Sequence, residues 1–170
     1  MPRYAAFLRG VMPALVTMQQ LKAAFESAGF KDVKTVTGSG NVLFDARAAS
    51  DESLARKADA AMEREIGRTF PAIVRSVEEL RELLAADAFG RFTIPPDAKR
   101  VVTFLREPPK PLPKLPIELQ GARILAVDGR HVFTAYERIA RTPVFMTLIE
   151  KTFGKDVTTR TWETLQKVAK

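Results

Sequence analysis

One order of elements occurs twice along this chain, and that repetition constrains the fold more than any motif does. Read by the period of their apolar residues, Arg3 to Arg75 give strand, helix, hairpin, helix, strand, and a looser copy of that order runs from Arg100 to Arg160. The order βαββαβ is that of a ferredoxin-like split unit. The sequence therefore predicts an α+β fold of two tandem ferredoxin-like units with antiparallel sheets, the second unit irregular. The expected limits are 1–76 for the first unit, 77–99 for a connecting helix and loop, and 100–170 for the second unit plus a C-terminal helix.

Local signals punctuate the first unit. Arg3–Leu8 is an almost continuous apolar run, and Gly10 and Pro13 end it. Thr17 with Gln20 three residues on is a capping-box pattern, and Met18, Leu21, Phe25 and Ala28 then share a helical face ending at Gly29. Val33–Thr37 and Asn41–Asp45 read as strands joined through Gly38-Ser39-Gly40. Ser50 opens the next helix, Asp51 and Glu52 suit the positive end of its dipole, and Gly67 closes it. Phe70–Arg75 reads as the fourth strand, and Ser76 with Glu79 caps the connecting helix. If the first strand runs upward, its helix returns downward and the second strand runs upward again, so the turn after Arg9-Gly10 and the Gly38–Gly40 hairpin fall at one end of the sheet.

The second copy is less regular. Val101–Leu105 is a strand, but five of the nine residues from Pro108 to Pro116 are proline, so an extended connection is expected where a helix would stand. Ile124–Val127 and Arg130–Tyr136 flank Asp128-Gly129, a strong hairpin signal that would set His131 opposite Ala126. Thr142-Pro143 has the form of an N-cap with proline at the first helical position, and Gly154 stops that helix. Val157–Arg160 is a short strand, and Thr161 caps a final helix carrying Trp162, Leu165 and Val168.

Composition removes several classes of function. With no cysteine there is no disulfide framework, no thiolate nucleophile and no cysteine metal site. The single histidine, His131, rules out a histidine metal cluster and reads as a strand residue. No metal or cofactor is expected. No Walker loop, nucleophile elbow or dinucleotide fingerprint is present, so no catalytic motif identifies an enzyme. No apolar run approaches the length of a membrane span. Met1-Pro2-Arg3-Tyr4 leads straight into a strand pattern, and a cytoplasmic location is the expectation. The formal charge of +7 is uneven: residues 1–85 hold 12 Lys and Arg against 11 Asp and Glu, and residues 86–170 hold 15 against 9. The basic second half suits nucleic acid, an anionic metabolite, an acidic protein surface or simply a solvated surface.

Arg9 places a guanidinium where a buried strand emerges, beside Ser39 and Asn41 of the neighbouring hairpin. A fixed fork of donors beside a hydroxyl and an amide suits a carboxylate or phosphate. The same residues would equally serve to hydrogen-bond loop carbonyls and hold the turn together. Arg160 with Thr161 and Trp162 sets a cation, a cap and the sole tryptophan at a strand–helix junction, which fits either an anion site or core packing.

Three segments, Tyr4-Ala5-Ala6-Phe7-Leu8-Arg9-Gly10, Ser39-Gly40-Asn41-Val42-Leu43-Phe44 and Thr158-Thr159-Arg160-Thr161-Trp162-Glu163-Thr164, resemble the domain of unknown function 1697 family. The resemblance implies a tandem ferredoxin-like fold in a bacterial-type soluble protein and no particular activity. The chain departs from the family pattern at Val11–Leu15, at Gly38, and at Thr161 and Glu163, where polar loop residues are exchanged.

The residues favour a protein binding a small anionic ligand through Arg9, Ser39 and Asn41, with Arg160 as a further candidate. Weak, non-specific nucleic-acid binding and a protein-interaction module are the alternatives. An RNA-reading sheet needs aromatic residues on an open face, and Asn41–Phe44 offers only Phe44.

Overall fold

The computed structural model describes residues 1–137 and 144–170. The chain forms two compact units, Met1–Glu82 with Gln166–Lys170, and Leu83–Leu165. Each is built on one antiparallel sheet.

The first unit runs β1 (Arg3–Leu8), α1 (Met18–Ser27), β2 (Lys31–Val36), β3 (Asn41–Asp45), α2 (Asp51–Ile66) and β4 (Ala72–Ser76). From β4 the chain passes directly into α3 (Val77–Ala86). The sheet order is β2-β3-β1-β4, with Phe7 opposite Asn41 and Ala5 opposite Arg75. Tyr4, Ala6 and Leu8 alternate onto one face of β1 and bury against Leu21, Ala24 and Phe25 of α1 and Leu54, Ala58 and Met62 of α2. Phe25, Phe30 and Phe44 meet there, the last two stacked at 4.2 Å. Ala5, Phe7, Leu43 and Ile73, which point the other way, are buried as well.

The caps act where the sequence places them. The Thr17 hydroxyl accepts from the Gln20 N–H, and the Gln20 carboxamide accepts from the Thr17 N–H. The Ser50 hydroxyl receives the Ser53 N–H, and Gly67 ends α2 at φ +79. The Ser76 hydroxyl receives the Glu79 N–H at the start of α3. The limits of two strands of the first unit, β2 and β4, differ from expectation. β2 ends at Val36 because Thr37 turns to φ +65. β4 begins at Ala72, after Pro71, which has no N–H to give a ladder. A bulge between Lys31 and Lys34 roughens the β2 edge.

The second unit begins with a 3₁₀ turn at Ala88–Arg91, followed by β5 (Lys99–Leu105), β6 (Ile117–Leu119), β7 (Ala122–Asp128), β8 (His131–Tyr136), α4 (Val144–Phe153), β9 (Val157–Thr161) and α5 (Trp162–Val168). Its sheet order is β6-β7-β8-β5-β9. Without β6, the order β7-β8-β5-β9 matches that of the first unit, strand for strand. The proline-rich segment leads into β6, a short strand that the sequence alone does not suggest. Leu105, Ile124, Val132 and Val157 pack with Leu148 and Ile149 of α4.

The β7–β8 hairpin corrects the expected register. Asp128 lies opposite His131, and Ala126 faces Phe133 across a bulge between Ile124 and Ala126. The two-residue loop is therefore Gly129-Arg130, with the positive φ of +59 at the glycine, as a primed hairpin turn with glycine first requires. His131 is buried edge-on to Phe104 at 5.4 Å. The Thr142-Pro143 cap falls outside the described residues. Gly154 closes α4 at φ +88, its N–H on the Glu150 carbonyl at 2.8 Å.

Candidate functional site

The antiparallel register carries the last residues of β1 to the hairpin between β2 and β3. The Leu8 N–H donates to the Gly40 carbonyl at 2.9 Å, and the Arg9 N–H donates to the Pro71 carbonyl at 3.1 Å. Arg9 is half-buried at this end of the first sheet, and Ser39 and Asn41 belong to the adjoining hairpin.

Asn41 organises that hairpin. Its side chain is fully buried, and Nδ2 donates to the Thr37 hydroxyl at 2.8 Å, the Val36 carbonyl at 3.1 Å and the Ser39 hydroxyl at 3.2 Å. Thr37 and Ser39 hydroxyls lie 3.0 Å apart in a further hydrogen bond. This cluster holds Thr37 at φ +65, a conformation that a β-branched residue rarely adopts. Gly38 and Gly40 supply the remaining positive φ angles, +69 and +87. Gly40 also permits a close approach, since a Cβ there would stand 2.9 Å from Val11 Cγ2. The loop after β1 and the hairpin are thus fitted against each other.

Arg160 belongs to the second unit, and Arg9, Ser39 and Asn41 to the first. It sits opposite Val102 on β9 and donates from Nη1 to the Thr159 carbonyl at 2.8 Å. Desolvation pushes its guanidinium down to about 10, which leaves it charged at neutral pH. The Thr161 hydroxyl accepts the Thr164 N–H at 3.3 Å. Trp162 is buried, with its ring edge-on to Phe89 at 5.1 Å.

Two features escape sequence reading. Arg75 is fully buried on β4, with Nη1 on the Val74 carbonyl at 2.9 Å and carboxylates of Glu79 and Asp51 at 3.7 and 4.0 Å. A cation directly after Ala72-Ile73-Val74 is its only sequence signal. The second is a groove of about 540 Å³ in the second unit, assembled from residues 87–100 and 161–163. Among the described residues, no group of three or more His, Cys, Asp or Glu could hold a metal ion. No described helix is long and apolar enough to cross a membrane.

Fold and geometry define an α+β protein with two antiparallel sheets and a constrained loop cluster at one end of the first. The chain belongs to the family described as protein of unknown function (DUF1697), whose pattern matches residues 1–133. It is also similar in fold to the conserved bacterial protein SP0830 from Streptococcus pneumoniae, at 19% identity and a TM-score of 0.70, over 99% of this chain and 97% of that one. No curated protein matches the chain.

Proposed function

We propose that the protein is a cytoplasmic, tandem ferredoxin-like binding protein for a small anionic ligand, held by Arg9 and Ser39 with Asn41 positioning the hairpin. The two units extend over 1–76 and 100–170, joined by 77–99. The observation that carries this reading is the strained hairpin beside Arg9. Backbone strain persists only where surroundings over-determine it, and such places concentrate at binding sites. Here a buried amide, two hydroxyls and two glycines hold Thr37 at φ +65, in the hairpin whose Gly40 carbonyl accepts the N–H of Leu8, the residue before half-buried Arg9. A carboxylate or phosphate would meet the Arg9 fork and the exposed Ser39 hydroxyl, pairing an anion with charge-assisted donors. Arg160 is a second, separate cation for an anionic group on the other unit.

Calorimetric titration with phosphate- and carboxylate-bearing metabolites tests the proposal. Binding should weaken by about tenfold or more in Arg9→Gln, the loss of one charge-assisted contact. A ligand bound equally well by the wild type and Arg9→Gln would remove Arg9 from the site and overturn the reading.

Nucleic acid is the weaker reading. Stacking platforms need accessible rings, whereas Phe7, Phe44, Phe104 and Phe133 on the sheet strands are buried. The excess of basic residues supports only salt-sensitive, sequence-independent contact.

A further inference from the structure

The groove of the second unit lies outside the Arg9 reading, and its lining is specific enough to name a ligand. At about 540 Å³ it has the size of small-molecule sites, which run to roughly 300–1,000 Å³. Phe89, Phe92, Ile94 and Trp162 contribute its apolar wall. Asp87, Asp97 and Glu163 line it together with Lys99 and Arg100. None of these five charged groups takes part in an ion pair among the described residues. Charges of both signs that converge on one groove without pairing leave both open to a ligand.

Two further details distinguish the groove from an ordinary surface furrow. Trp162 is only 5% exposed, and its indole N–H meets no acceptor among the described residues, although it lines the groove. The N–H itself is not buried, so it stands open to solvent or to a ligand in the groove. The ring is fixed by Phe89 edge-on at 5.1 Å, and Phe89 in turn lies under the Arg100 guanidinium at 5.9 Å. Asp87 has left-handed backbone, φ +41, at the start of the 3₁₀ turn, and its carboxylate makes no capping bond there. That strain is not offset by a cap.

We propose that this groove binds a small zwitterion with an apolar body, the chemistry of a free amino acid or dipeptide bearing a large apolar side chain. A purely anionic ligand would face three carboxylates, and a purely cationic one would face Lys99 and Arg100. A ligand with both charges matches both sets. Its carboxylate suits Lys99, Arg100 and the indole N–H, its ammonium suits Asp87, Asp97 and Glu163, and its side chain suits Phe92 and Ile94.

Trp162 is the only tryptophan in the chain, so its fluorescence and its single indole N–H resonance report on the groove directly. The full chain is titrated with phenylalanine, leucine and leucyl-phenylalanine, and in parallel with their N-acetylated and C-amidated forms. The expected result is a saturable shift of the indole resonance with the zwitterions. Affinity should fall about tenfold for either blocked form and for Arg100→Gln, an exposed position whose substitution should leave the circular dichroism spectrum unchanged. Trp162→Phe, read by calorimetry, should weaken binding several-fold by loss of the N–H donor. The absence of any saturable shift up to about 10 mM, well beyond the millimolar range of weak specific binding, overturns the proposal. So does equal response to blocked and unblocked ligands. The relative affinities of amino acids and dipeptide decide which size the groove takes.

Discussion

Replacement of Gly40 by alanine tests how tightly the hairpin is fitted to the loop after β1. Two costs add. The residue stands at φ +87, where an L side chain is strained by about 1–2 kcal/mol. The new Cβ would also lie 2.9 Å from Val11 Cγ2, 3.2 Å from Val11 Cβ and 3.3 Å from Leu8 Cβ. Two of these three atoms belong to a β-branched side chain packed against the core and the third to a strand residue, so neither neighbour gives way freely. Overpacking of this kind costs about 1–3 kcal/mol. Gly40→Ala should therefore lose roughly 2–5 kcal/mol. Gly38 is the internal control: it stands at φ +69, a Cβ added there would meet no atom within 4 Å, and Gly38→Ala should lose only about 1–2 kcal/mol. Urea denaturation followed by far-ultraviolet circular dichroism measures both. Equal midpoints for the two variants would show that the Val11 contact does not constrain the hairpin.

Asn41→Asp should destabilise more than Asn41→Ala, because a buried carboxylate would face the Val36 carbonyl; the alanine variant should cost roughly 1–3 kcal/mol, and denaturation midpoints rank the two. Trp162→Ala should cost about 3–5 kcal/mol, as large aromatic truncations in cores do, and a midpoint at the wild-type value would show that the ring is not part of the packing. Binding of mixed-sequence DNA or RNA, measured by fluorescence anisotropy, should be weak and fall steeply from low to physiological salt; tight, sequence-selective binding at physiological salt would reverse the ranking of functions.

Much of this fold is legible in the sequence because its strongest signals are local. Thr17 and Gln20 complete their capping box within one helical turn, and Ser50, Gly67 and Gly154 each act on the neighbouring backbone. Features fixed by distant partners are not legible. β6 exists through its pairing with β7, and the Asp128–His131 register depends on a bulge that no residue type announces. The burial of Arg75 follows from tertiary packing around β4. Of the candidate residues, Arg9, Ser39 and Asn41 could be grouped from strand direction alone, but the inward aim of the Asn41 amide could not. The groove joins residues 87–100 to residues 161–163, a separation across which no periodicity carries information.

The most direct measurement of the central claim is a crystal structure of the protein grown in the presence of its own cells' small-molecule extract. Ligand density with an anionic group on the Arg9 guanidinium and the Ser39 hydroxyl is the expected result, absent from crystals of Arg9→Gln grown in the same way. A ligand seated elsewhere in the wild type, with Arg9 turned back onto protein oxygens alone, would contradict the account and leave the hairpin cluster as a structural clamp.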